Sequence, residues 1–174
     1  MLLHSVTTNV TRRKLIPYLA VAVALAGCGG STDTPTPPKT AGGSPATIGV
    51  ASNGNLGKIL VDSKGDTVYL FQKDTGTKSA CTGECATNWP PVRTTGKPIV
   101  GSGLTAAKLG TTPRSDGDAQ VTYAGHPLYR YQGDSKPGNA NGQGINAYGA
   151  QWFVLSSSGA AVTTGGGSGG GYGY

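Results

Sequence analysis

The sequence predicts an all-β domain: two tandem, pseudo-symmetric, small antiparallel units packed together, with little helix. Three observations carry that expectation. Short runs rich in β-branched and aromatic residues (KILVD, TVYLF, QVTYA, PLYRY and QWFVL) recur between clusters of Gly, Asn, Asp and Pro, the pattern of strands separated by turns. A ten-residue pattern occurs twice: GDTVYLFQKD at 65–74 and GHPLYRYQGD at 125–134 share Gly, Tyr, an aromatic, Gln and Asp at the same offsets. Helical signal is confined to SGLTAAKLG, 102–110, where Leu104, Ala107 and Leu109 and a glycine stop suit two turns at most.

The first element is not part of the domain. Arg12, Arg13 and Lys14 precede the apolar run LIPYLAVAVALA, 15–26, which is short for a bilayer span and has the charged start and apolar centre of a secretory signal. It ends in LAGC, which resembles a bacterial lipobox, with cleavage of residues 1–27 and lipid attachment to Cys28; the alternative is an ordinary signal peptide. Anchoring would place the protein outside the cytoplasm, on the outer face of the cell membrane. With Gly29 and no aspartate after the cysteine, it would move to the outer membrane in a cell that has two. Cleavage leaves 11 basic against 8 acidic residues, a net charge of +3 rather than +6. No Lys/Arg cluster survives it, so a nucleic-acid partner is not expected.

Residues 28–47, rich in Pro, Thr, Gly and Ser, bury too little to offset ordering and read as a tether; the glycine-rich end, 163–174, reads the same way. Between them, 48–162 is long enough for one core, with repeats at about 55–100 and 115–160. DSKGD (62–66) and YAGH (123–126) suit hairpin turns in which Gly65 and Gly125 take positive φ. In TVYLF, alternation puts Thr67, Tyr69 and Phe71 on one face and Val68 and Leu70 on the other; in PLYRY, Tyr129 and Tyr131 share the aromatic face. Arg130 opposite them suggests that the second face is partly solvated. Asp74 and Asp134 fall in the following turns, where each can accept backbone N–H groups or reach the tyrosine of its own copy. Trp89 and Trp152 then open a further strand in each copy. Two units are too few for a solenoid and are expected to bury each other's aromatics.

The tandem Tyr-x-Phe-x-x-Asp and Tyr-x-Tyr-x-x-Asp, with CTGECATNWPPV and the GQG…QWFVL segment, resembles the bacterial "secreted repeat of unknown function" over about residues 55–160. Those are lipoproteins marked by a repeated Tyr-x-(Phe/Trp/Tyr)-x-x-Asp. The resemblance implies a secreted, lipid-anchored β-rich domain and no particular activity.

Few residues invite chemistry. Cys81 and Cys85, outside the cytoplasm, suit a disulfide; the spacing is not the C-x-x-C of thioredoxin-like sites. His126 is the only histidine left after cleavage and sits in the repeated turn. Asp62, Asp66, Asp116 and Asp118 suit turns better than calcium, because SDGDAQ lacks EF-hand spacing. No serine lies in a G-x-S-x-G elbow. The loop 138–149, GNANGQGINAYG, offers Asn141, Gln143 and Tyr148 as candidate ligand groups. The expectation is a non-enzymatic envelope protein with a structural or binding role, no metal or cofactor, and an unidentified protein or glycan partner. The alternatives are a redox or metal-handling domain using Cys81, Cys85 and His126, or a glycan- or peptide-binding module.

Overall fold

The computed structural model describes residues 43–164. The signal segment, Cys28, most of the tether and the glycine-rich end from 165 onward lie outside the described residues. Each half begins with a hairpin: β1 (Thr47–Asn53) with β2 (Gly57–Asp62), and β5 (Leu109–Pro113) with β6 (Ala119–Tyr123). The repeats therefore start earlier than the shared motif, because the motif strand needs the hairpin beside it. The other elements are β3 (Tyr69–Phe71), α1 (Glu84–Asn88), β4 (Ile99–Val100), β7 (His126–Pro127), β8 (Asn146–Ala147) and β9 (Ala150–Val154). They form three three-stranded sheets, ordered β2-β1-β4, β3-β9-β8 and β5-β6-β7; only β1–β4 is parallel. β1 opens at Thr47, one residue before Ile48, and the Ala46 N–H ahead of it donates to Thr94 Oγ1.

The turns follow the sequence. Asp62 Oδ1 accepts the N–H groups of Lys64 and Asp66, and Gly65 has φ 83°. Ala124 and Gly125 both have positive φ, as a two-residue hairpin turn of the I′ kind requires. The helix does not follow it. Within 102–110 only Ala106–Lys108 makes a single 3-10 turn, and Leu109 joins β5, because the ladder to β6 captures its backbone groups. The five-residue α1 lies instead at ECATN, where no apolar periodicity announces it; Cys85 is its one buried residue.

The halves match bond for bond. Val68 N–H donates to Leu60 O (3.2 Å) as Leu128 N–H donates to Val121 O (3.0 Å). Leu60 N–H donates to Leu155 O (2.9 Å) as Val121 N–H donates to Val92 O (2.8 Å). Where the copies meet, Tyr69 and Tyr129 exchange both backbone bonds, at 2.8 and 3.0 Å. PLYRY is thus not one continuous ladder strand: it leaves its own hairpin after Pro127 and crosses to Tyr69 and Pro91 of the first copy.

Strict alternation separates two cores. Val68, Leu70, Leu128, Phe153 and Leu155 enter a mainly aliphatic core with Ile48, Leu60, Val92, Val121 and Tyr123. Tyr69, Phe71, Tyr129, Trp152 and Val154 enter an aromatic core with Trp89 and both cysteines. The face opposite the tyrosines is therefore buried, contrary to the inference from Arg130. That arginine sits at its rim, its side chain 35% exposed, and pairs with the buried Asp62 at 2.6 Å. A guanidinium can end at water while its stem covers apolar surface, so one arginine does not make a strand face wet.

Candidate functional site

The repeated tyrosines and aspartates meet across the copies rather than within them. Tyr69 OH donates to Asp134 Oδ2 at 2.5 Å, and Tyr129 OH donates to Asp74 Oδ2 at 2.8 Å. The other oxygen of each carboxylate takes a backbone N–H from its own loop, Ala80 for Asp74 and Asn141 for Asp134. Each motif aspartate therefore does two jobs: it shapes its own loop and latches the opposite strand. Burial raises the pKa of both tyrosines well above the phenolic range and pushes Asp74 up to about 6, against the lowering effect of the bonds it accepts. Burial also raises Asp134.

Between the latches the rings form a column. Phe71 stacks on Trp152 (centroids 4.0 Å apart), Trp152 on Trp89 (3.9 Å) and Trp89 on Tyr131 (4.3 Å). Tyr69 and Tyr129 meet Trp89 and Trp152 edge-on at 5.4 and 5.1 Å, the arrangements that the ring quadrupole favours. Both tryptophans are buried, at 1% and 0% exposure, so neither can serve as a sugar platform.

The loops after the aspartates differ. In the first copy, Cys81 and Cys85 form a disulfide whose residues are 0% and 6% exposed, inside the aromatic core. Ser79 Oγ beside it lies 2.8 Å from the Tyr129 hydroxyl oxygen and accepts from the buried Arg114. In the second copy both candidate amides bond to the chain itself, Asn141 at the surface and Gln143 inside. Asn141 donates to Gly133 O, and the buried Gln143 donates to Val162 O and accepts from Val154 N–H. Gly142 is required there, since a Cβ would lie 2.8 Å from Trp89 and 3.0 Å from Tyr69. Of the three proposed ligand residues, only Tyr148 lines a cleft.

That cleft, of about 590 Å³, lies at the Tyr131 end of the column and is lined from both copies by Asn88, Trp89, Tyr131, Gln132, Asn146 and Tyr148 among others. No lining residue carries a charge. Tyr148 is firmly placed: it forms a two-residue turn with Gly149, both at positive φ, its hydroxyl accepts from Asn88 Nδ2, and its carbonyl accepts from Lys73 Nζ. Asn88 and Asn146 were not singled out by sequence, and Gln132 only as the shared glutamine of the repeated pattern. Asn88 and Gln132 flank the tryptophan and the second aromatic of the motif, and adjacency to such anchors is the signal that points to them.

The remaining candidates are structural in their contacts. Asp62 holds a turn and Arg130; Asp116 pairs with Arg93 and Arg114. His126 is half-buried beside Tyr123 in the β6–β7 pair, and burial lowers its pKa. Among the described residues no three His, Cys, Asp or Glu side chains converge as metal ligands would.

A family model described as a secreted repeat of unknown function matches residues 50–93 and again 110–156. The chain belongs to that family. Each matched segment runs from the first hairpin strand, through the Tyr-x-aromatic-x-x-Asp motif, to the segment after the tryptophan, so the secreted repeat coincides with the structural half-domain. No curated protein and no solved structure matches the chain. Among the described residues no helix is long and apolar enough to cross a membrane.

Proposed function

We propose that this secreted-repeat protein is a lipid-anchored, extracytoplasmic binding module without catalytic activity, and that its cleft takes a neutral saccharide. The observation that carries the reading is the uncharged cleft between the copies, walled by tyrosine rings and side-chain amides. Its volume lies within the roughly 300–1,000 Å³ of small-molecule sites. Tyrosine faces and amides suit a ring bearing hydroxyls, with desolvation of few polar groups. The LAGC sequence supports lipid attachment at Cys28. Burial of both sulfurs counts against redox or metal use of Cys81 and Cys85.

Two measurements test this. Titration with chitotriose and maltotriose, followed by amide chemical shifts, should perturb residues 145–149 for at least one sugar, and Tyr148→Ala should abolish the change while the amide spectrum still shows a folded domain. Shifts confined to other surfaces, or none with either sugar, would remove the saccharide reading. For the anchor, metabolic labelling with an alkynyl fatty acid should mark the wild type and not Cys28→Ser.

A further inference from the structure

The aromatic column has a property that packing alone does not require: every ring that could be oxidised is coupled to another, and two of them carry a proton acceptor. Trp152, Trp89 and Tyr131 are in stacking contact at 3.9 and 4.3 Å, Tyr69 and Tyr129 touch the tryptophan edges, and both tyrosine hydroxyls already donate to a carboxylate. The column is closed at Phe71, which is 2% exposed, and ends at the half-buried Tyr131 on the cleft. Of the other tyrosines in the domain, Tyr148 also reaches the cleft, but no ring contact joins it to the column. The single methionine is Met1, and the only cysteines between residues 43 and 164 are joined to each other, so no thiol or thioether in the domain offers an easier target.

We infer that the column is a radical relay, which takes an oxidising equivalent at Tyr131 and stores it as a neutral tyrosyl radical on Tyr69 or Tyr129. A one-electron oxidant in the extracytoplasmic space, such as an organic peroxyl radical, accepts one electron from the column; the peroxyl anion formed then takes a proton from water. The tryptophan cation radical left behind is refilled by one electron from Tyr129, whose phenolic proton passes to the Asp74 carboxylate along the existing hydrogen bond. Tyr69 and Asp134 form the equivalent pair through Trp89. The balance is one electron delivered outward, one tyrosyl radical and one carboxylic acid inside. Keeping the proton on the neighbouring carboxylate avoids burying a phenol cation, whose desolvation in an apolar core would be prohibitive, and returns the proton when the radical is re-reduced. Radical damage at the surface is thereby exchanged for a reversible state in the core.

The test uses the full chain oxidised by photogenerated tris(bipyridine)ruthenium(III) and frozen for electron paramagnetic resonance. The wild type should give a tyrosyl spectrum. Tyr69→Phe with Tyr129→Phe, which keeps both rings, should remove the part of the tyrosyl signal that survives addition of ascorbate, and Tyr131→Leu should lower the yield of that buried radical. A tyrosyl spectrum unchanged in the double variant would place the radical elsewhere and overturn the relay, as would a tryptophanyl spectrum in the wild type. Should the double variant not fold, Tyr131→Leu on the exposed end decides: an unchanged yield and spectrum sinks the inference.

Discussion

The two copies share their latch and differ in what each hangs from it. In the first, the loop after Asp74 is closed covalently by Cys81–Cys85 and ends in α1; in the second, the loop after Asp134 is closed by a glycine under two rings and by the buried Gln143. Both loops solve one problem, covering a tryptophan while offering the motif aspartate a backbone N–H. The difference teaches that the duplicated motif specifies the interface between halves, leaving the loops free to diverge. The cleft forms where they have diverged, with Asn88 from one and Tyr148 from the other.

The comparison breaks most completely at the shared ring positions. Tyr69→Ala and Tyr129→Ala should each cost about 3–5 kcal/mol, the usual range for truncating a buried aromatic, and by similar amounts, since each copy's tyrosine closes the other copy. Urea unfolding would show it; a large effect for one and none for the other would contradict the reciprocal latch. Gly142→Ala tests the second loop alone and should cost about 1–3 kcal/mol through overpacking against Trp89 and Tyr69. Cys81→Ser tests the first loop alone: closing so short a ring constrains the unfolded chain by about 2 kcal/mol, so the variant should fold with a lower denaturation midpoint.

The latches also predict a pH dependence. Asp74 binds its proton more tightly folded, at about 6, than at its ordinary 3.8. Between those values the folded state holds more protons, so the urea midpoint should rise as pH falls through that window. Asp74→Asn should flatten the rise, leaving the same-signed contribution of Asp134. The smallest effect belongs to the exposed charge cluster around Arg93, which joins the copies at the surface. Arg93, half-exposed, pairs with Asp116 and Asp118, and Arg93→Ala should cost under about 1 kcal/mol by thermal melting, less still in high salt.

Much of this domain was legible along the chain. The β class, the turns at Gly65 and Gly125, the disulfide and the burial of the motif aromatics follow from properties of neighbouring residues: period-two alternation, positive φ at glycine, and short loop closure. The helix misplacement at 102–110 shows the limit of such reading, since two weak turns of propensity lose to a ladder with β6. Loop 138–149 shows another: an amide looks equally available in sequence whether it faces water or, like Gln143, completes a buried strand end.

What the sequence by itself determined was that two like halves exist and that the aromatic face of each motif strand would turn inward. Which half each hydroxyl would serve was decided only by the tertiary structure. A strand's alternation sets the direction of a side chain relative to its own backbone, and carries no information about the strand across from it. The exchange of backbone bonds between Tyr69 and Tyr129 lays the two motifs side by side in opposite directions, and that register sends each tyrosine to the other copy's aspartate. The cleft has the same origin, a space that neither repeat encloses until both are folded together.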